Sequence, residues 1–157
     1  MELYLYRDSM AQHIKDYLLS DEQLQFTTHP NDAIKRSQTD DDIRPILAFH
    51  NEQLVTFFSL YTNAHLKKYT TNPQAILLGS FSTALLHQGC GYAKDALQLV
   101  NSFIQDNMPS ITEIYLGVNT ANIAAQTLYN TCGYHATGGR FEGRFGEVTI
   151  MKQTLYY

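Results

Sequence analysis

Within residues 75–103 the spacing of apolar side chains changes its period, and the change divides the stretch into two elements. Ala75 to Leu86 is almost all apolar or small, with β-branched and aromatic members, which predicts a buried strand. From Ala93 the apolar positions are Ala93, Ala96, Leu97, Val100, Phe103 and Ile104, one face of a helix, and Lys94, Asp95, Gln98 and Asn101 take the other. Between them Gln88-Gly89-Cys90-Gly91-Tyr92-Ala93 reads as a tight turn. Its glycines let the backbone turn sharply and leave no Cβ between the amides and a ligand. The first amides of the following helix have no intrahelical acceptors and lie at the positive end of its dipole. An anion suits them, and a diphosphate takes several at once.

The same patterning predicts the remaining elements. Glu2 to Tyr6 alternates as a first strand, and Ser9 with Gln12 forms a capping-box pattern ahead of Met10, Ile14, Tyr17 and Leu18. Asp21 is the candidate cap of a short helix through Leu24 to Phe26, and Pro30 opens another reaching about Lys35. Ile43 to Phe49 and Leu54 to Tyr61 predict an antiparallel hairpin turning at His50-Asn51-Glu52-Gln53. Ile111 to Val118 is the next strand, followed by a helix over Ala121 to Cys132 that Gly133 ends. Tyr134 to Thr137 and Glu147 to Leu155 predict a closing pair of strands, with glycine-rich Gly138 to Gly146 as a long, mobile loop between them.

Composition narrows the function classes. A chain of 157 residues, 44% hydrophobic and 17% charged with no low-complexity tract, predicts one folded domain over 1–157. Net charge is -4 and the Lys and Arg residues are scattered, which argues against a nucleic-acid partner. No apolar run reaches membrane-spanning length, so no membrane partner is expected. MELYLYRDSM lacks the order of a signal peptide, and Cys90 and Cys132 suit free thiols, so a cytoplasmic protein is expected. The histidines show no ligand spacing, so no metal is expected.

The turn at Gln88 fails the dinucleotide fingerprint, because Lys94 stands where its third glycine belongs, and it lacks the Gly-Lys-Ser/Thr ending of a Walker loop. Gln88-x-x-Gly91-x-Ala93 instead resembles the acyl-CoA pyrophosphate loop of the GNAT family of N-acetyltransferases. Asn122, Ala125, Leu128, Tyr129, Gly133 and Tyr134 resemble a second block of the same family, Asn-x-x-Ala-x-x-Leu-Tyr-x-x-x-Gly-aromatic. The runs LYLYRD, FFSLYT and GEVTIM are similar to one bacterial branch of small single-domain members.

That resemblance implies an α/β fold: a mixed sheet of about six or seven strands with helices on both faces, antiparallel at first and with splayed central parallel strands. It implies acetyl-CoA as co-substrate, its pyrophosphate on Gln88, Gly89, Cys90, Gly91, Tyr92 and Ala93. Backbone amides of Thr83, Ala84 and Leu85 would hold the acetyl oxygen, Asn122 and Ala125 would border the pantetheine arm, and Tyr129 would be the general acid. It also implies a homodimer pairing through Glu147–Leu155.

Read from the residues alone, Gly89 and Gly91 are equally a plain turn, Asn122 an N-cap, Tyr129 a core aromatic and Cys90 a small loop residue. No acid lies between Ala75 and Gln88, and no spacing selects His50, Glu52, Ser82 or Glu113, so the general base stays unassigned. The acceptor pocket is expected from Ser20–Arg36, His50–Gln53 and Gly138–Gly146, with Arg140 and Arg144 as candidates for an acceptor carboxylate or phosphate. The expected activity is acetyl transfer from acetyl-CoA to a primary amine, small molecule or peptide, in a ternary complex. A non-catalytic acyl-CoA sensor and a phosphate-binding module for a free nucleotide are the alternatives.

Overall fold

In the computed structural model, which describes residues 1–156, the chain runs β1 (Glu2–Leu5), α1 (Ala11–Lys15), α2 (Pro30–Ser37), β2 (Ile43–His50), β3 (Gln53–Tyr61), β4 (Ala75–Thr83), α3 (Tyr92–Asn107), β5 (Glu113–Asn119), α4 (Ile123–Thr131), β6 (His135–Gly143) and β7 (Gly146–Thr154). These strands form one sheet in the order β1-β2-β3-β4-β5-β7-β6. Only β4 and β5 pair in parallel, and every other neighbouring pair is antiparallel.

Consecutive residues of the central strands enter different cores. On one face Ile46, Phe58, Ile76, Leu78, Ile114 and Leu116 meet Leu97, Val100 and Ile104 of α3 and Tyr129 of α4. On the other, Leu47 and Phe57 meet Ile14 of α1 and Ala33 and Ile34 of α2, while Leu77, Tyr115 and Ile150 pack with Leu66. A sheet covered on both faces buries consecutive residues, which is why β2, β3 and β4 carry apolar runs such as Ile46–Phe49, Phe57–Phe58 and Ala75–Leu78 rather than a strict alternation. Helices therefore lie on both faces, as expected.

Several local expectations change. The strand beginning at Ala75 stops at Thr83, and the chain turns through a 3₁₀ segment, Leu85–His87, that leaves Leu86 77% exposed. Ser9 caps nothing, since α1 starts from Met10 with no side-chain cap. Ser20, not Asp21, organises the next turn. Its N–H donates to Gln23 Oε1 (2.9 Å) and its Oγ accepts the Gln23 N–H (3.1 Å), a reciprocal capping box.

The glycine-rich stretch is a strand rather than a mobile loop. β6 runs to Gly143, and only Arg144 and Phe145 separate it from β7. Its glycines answer to geometry: Gly138 has φ 90° within a register shift between Ala136 and Arg140, and a Cβ on Gly143 would lie 2.7 Å from Val148 Cγ2. β7 lies between β5 and β6, so both its edges are paired and it cannot join a partner's sheet. Strand pairing across a dimer through Val148–Lys152 does not fit that placement. The unpaired edges belong to β1 and β6.

Candidate active site

β4 and β5 pair from Ala75 opposite Glu113 to Leu78 opposite Leu116, and no further. The next residue of each strand is a glycine. A Cβ on Gly79 would sit 3.0 Å from Tyr61 Cε2, and one on Gly117 would sit 2.7 Å from Val148 Cγ1 and 2.8 Å from the Tyr69 hydroxyl. Tyrosine rings thus fill the space beside both strands where they part. Beyond Gly79, β4 bulges. Its register with β3 shifts between Phe57 and Ser59, and Ser80 adopts φ 54°, a left-handed conformation uncommon outside glycine. Ser80 and Phe81 consequently have no ladder partner on β3 or on β5.

The parted strands open a cleft of about 520 Å³. Leu78 to Thr83 form one wall, Gly117 to Asn119 the other, and Gln88, Ala93, Asn122, Ala125, Leu128 and Tyr129 extend it. Ser20, Glu22, Gln23, Phe26 and Thr27, between α1 and α2, close the remaining side.

The glycine turn stands at the start of α3. Gly89 (φ 79°) and Gly91 (φ 80°) are both left-handed, with nothing within 4 Å of a Cβ at either position. The first hydrogen bond into the helix runs from the Asp95 N–H to the Gly91 carbonyl (3.1 Å). Among the described residues no acceptor meets the amides from Gly89 to Lys94. Tyr92 packs its ring on His50 (4.9 Å) and against His87 (6.1 Å), so what it offers the turn is its N–H. Cys90 is exposed, with its thiol 3.8 Å from the Gln88 carbonyl. The geometry is that of an anion cradle, with Gln88 and Ala93 bordering the cleft beside it.

The amides expected to hold the acetyl oxygen need correction. Ala84 donates its N–H to the Val55 carbonyl (2.9 Å), and Leu85 donates to that of Leu18 (2.8 Å). Ala84 is buried in the core, Leu85 faces solvent, and neither borders the cleft. Thr83 remains. Bonded and non-bonded pairs alternate along an antiparallel ladder, so the bonded Ala84–Val55 pair makes Thr83–Thr56 a non-bonded one. The Thr83 N–H and carbonyl then point toward the cleft, and Gln23 Nε2 donates to that carbonyl (2.7 Å). The backbone available for an acyl oxygen is Ser80, Phe81 and Thr83.

α4 supplies the side chains opposite. Asn122 Oδ1 accepts the Ala125 N–H (3.2 Å), so the residue caps the helix; its Nδ2 has no partner among the described residues, and it borders the cleft. Two helical turns on, Tyr129 stands edge-on to Phe81 (6.2 Å) and Tyr134 (6.0 Å). It is 9% exposed, and its hydroxyl bonds to nothing among the described residues. Burial, with a lesser contribution from Cys132, pushes its pKa well above the ordinary 10.0. Tyr129 is a protonated donor at neutral pH with its hydrogen uncommitted.

Comparison with known proteins assigns the family. The model of the acetyltransferase (GNAT) family matches residues 9–134. The chain belongs to the GNAT family. It is 31% identical over 156 residues to YbbJ of Bacillus subtilis (strain 168), described as an uncharacterized N-acetyltransferase, covering 99% of this chain and 98% of that one. Its fold matches the aminoglycoside acetyltransferase AAC(6')-Ib in complex with coenzyme A and kanamycin: TM-score 0.78, 17% identity, 97% of this chain and 93% of that one. A spermidine N-acetyltransferase chimera from Vibrio cholerae and hSSAT matches with TM-score 0.69 and 18% identity, covering 98% and 96%.

Of the GNAT chain's candidate bases from the sequence, Ser82 alone lines the cleft. Glu113 sits where β4 and β5 are still paired, held by Asn72 Nδ2 (2.7 Å) and Lys152 Nζ (3.1 Å), which lower its pKa. His50 and Glu52 lie on the β2–β3 turn, outside the cleft. Ser82 is buried, with its Oγ 2.8 Å from the Tyr17 hydroxyl. Arg140 pairs with Glu147 (3.4 Å) and Arg144 lies over the Phe145 ring (5.3 Å); neither borders the cleft. The segment expected from Ser20 onward does border it, and it brings Glu22, which sequence reading passed over. Glu22 is the one carboxylate among the described residues lining the cleft, and no Lys, Arg or His lines it. The signal that locates it is the capping box: Ser20 and Gln23 fix the turn, and the Gln23–Thr83 bond seats it over β4.

Proposed function

We propose that this GNAT N-acetyltransferase uses acetyl-CoA as co-substrate and passes the acetyl group directly to a primary amine in a ternary complex. The observation that carries the reading is one cleft with an unpaired-amide anion cradle beside it and an uncommitted, protonated tyrosine hydroxyl within it. Gly89 to Ala93 take the pyrophosphate, the strand edges beyond Leu78 and Leu116 flank pantetheine, and Asn122 Nδ2 and Ala125 border the same arm. The amine nitrogen attacks the thioester carbon, forming the N–C bond as the carbonyl electrons move onto oxygen. Backbone N–H at Phe81 and Thr83 receives that oxygen. Collapse breaks the C–S bond, the departing thiolate takes the Tyr129 proton, and the surplus amine proton leaves to water. Solvent reprotonates Tyr129. Holding both reactants in one cleft supplies much of the rate.

A cleft lined by Glu22 and no cationic side chain suits a positively charged acceptor better than a phosphorylated or carboxylate-bearing one. The aminoglycoside and spermidine acetyltransferases that share the fold are consistent with that class. We place the protein in the cytoplasm, where its two free cysteines stay reduced. The alternative, an acyl-CoA sensor without turnover, is favoured by one observation: no carboxylate stands on either strand beyond Leu78 and Leu116, where they part. Mass spectrometry of the protein with acetyl-CoA and an amine panel separates the two readings. Released CoA matched by one acetylated amine class supports transfer, and tight CoA binding with no product supports the sensor.

A further inference from the structure

The bulge that opens the cleft also ends a directional hydrogen-bond chain. Arg36 has donors only. Its Nε reaches Asp32 Oδ2 (3.2 Å) and its Nη2 donates to the Tyr61 hydroxyl (3.2 Å). The Tyr61 oxygen lies 2.7 Å from Ser80 Oγ. Either oxygen of that pair can donate, and a phenol O–H is a stronger donor than an aliphatic one, so with Arg36 donating to Tyr61 the series runs on from Tyr61 to Ser80. The Ser80 hydrogen is then left over, no acceptor for it exists among the described residues, and Ser80 borders the cleft. Donors in series polarise one another, and a guanidinium at the far end favours negative charge at the near end.

We propose that the Ser80 hydroxyl is a side-chain donor to the thioester carbonyl oxygen, aimed by Tyr61 and Arg36, and acting beside the unpaired amides of the bulge. A neutral amine has no use for a donor at its attacking lone pair, whereas the acyl oxygen gains charge as the bond forms. Ser80 is the catalytic residue here, and Tyr61 and Arg36 are positioning residues. No proton is transferred: the Ser80 O–H bond stays intact throughout. The inference rests on the acetyl-transfer reading above.

The left-handed φ of 54° at Ser80 provides a clean variant, because glycine adopts it freely. Ser80→Gly removes the hydroxyl while favouring the native backbone, and Tyr61→Phe keeps the ring beside Gly79 while removing the relay. Acetyl-CoA carrying carbon-13 in its thioester carbonyl is bound to each protein, and the carbonyl infrared band is recorded. The wild type is expected to show a band displaced to lower frequency from that of free acetyl-CoA. Ser80→Gly should lose much of the displacement, Tyr61→Phe less, and the double variant no more than Ser80→Gly alone. With an accepted amine, Ser80→Gly should lower kcat about 10- to 100-fold with the acetyl-CoA KM within about threefold. An identical band position in wild type and Ser80→Gly overturns the proposal and leaves acetyl transfer standing. Failure of wild type to bind acetyl-CoA, read first by calorimetry, overturns the acetyl-transfer reading and this proposal with it.

Discussion

β4 and β5 are one parallel pair with two unlike ends. At the closed end, Ala75–Leu78 and Glu113–Leu116 exchange ladder bonds and bury side chains on both faces. At the open end the same strands part beyond Leu78 and Leu116, past two glycines packed against tyrosines and a bulge in β4, and lose each other's ladder bonds. Folding stability belongs to the first arrangement and ligand capacity to the second. Unpaired backbone is a cost in folding, and its free N–H and C=O groups are what an extended ligand arm would pair with.

Substitutions that act on one end only are the way to break this division. Ile114→Ala, in the fully buried closed end, should cost about 2–5 kcal/mol in denaturant unfolding, with acetyl-CoA affinity nearly unchanged below the transition. Tyr129→Phe should do the reverse. Its hydroxyl bonds to no described residue, so thermal stability should barely move while turnover falls at least tenfold, about 1.4 kcal/mol, with CoA affinity nearly kept. An unchanged rate would remove Tyr129 as the acid. Asn122→Ala tests a residue with both duties: about 1 kcal/mol of stability lost with the cap, together with weaker CoA binding. Glu113→Gln, at a partly exposed ion pair, should cost under about 1 kcal/mol.

The two ends also titrate in opposite directions. Glu113 is held below its ordinary 4.5 by Asn72 first and then Lys152, so its contribution is present above that value and fades as pH falls through it. Tyr17, Tyr129 and Tyr134, around the open end, are pushed by burial above the ordinary 10.0. The unfolded chain ionises first as pH rises past about 10, so stability should decline from there upward. Unfolding midpoints across pH should show an acid limb that Glu113→Gln softens and an alkaline limb that it leaves alone.

How much of this could be read from the chain depends on whether a residue's role is periodic. The switch of spacing between Leu86 and Ala93 marked the strand, the turn and α3, because burial on a helix and in a sheet imposes different repeats. Gly133 was legible for a similar reason, since a helix end wants a left-handed residue, and it has φ 97°. The segment from Gly138 to Gly146 was misread because glycine frequency says loop, whereas these glycines serve a bulge, a close packing contact and a two-residue turn. Ser80 is unreadable: a left-handed serine carries no sequence mark, and of the expected Thr83, Ala84 and Leu85 the last two have amides bonded elsewhere while Thr83 keeps its place on the cleft. Arg140 looks available in the sequence because its partner Glu147 lies across the β6–β7 hairpin, and Arg144 sits over its own neighbour Phe145 in the turn.

The parallel pair is also a boundary in the order of assembly. β1–β2–β3–β4 is joined to β5–β7–β6 through the ladder of β4 with β5, and each side holds its own hairpin of near-sequence contacts. The β4–β5 ladder spans the α3 crossover, so its closure costs more chain entropy than either hairpin, and the hairpins are expected to form before the junction. The cleft lies on that junction. By that rule the cleft is completed after the two halves, and a ligand that spans it should raise the resistance of the halves to separation by force or heat.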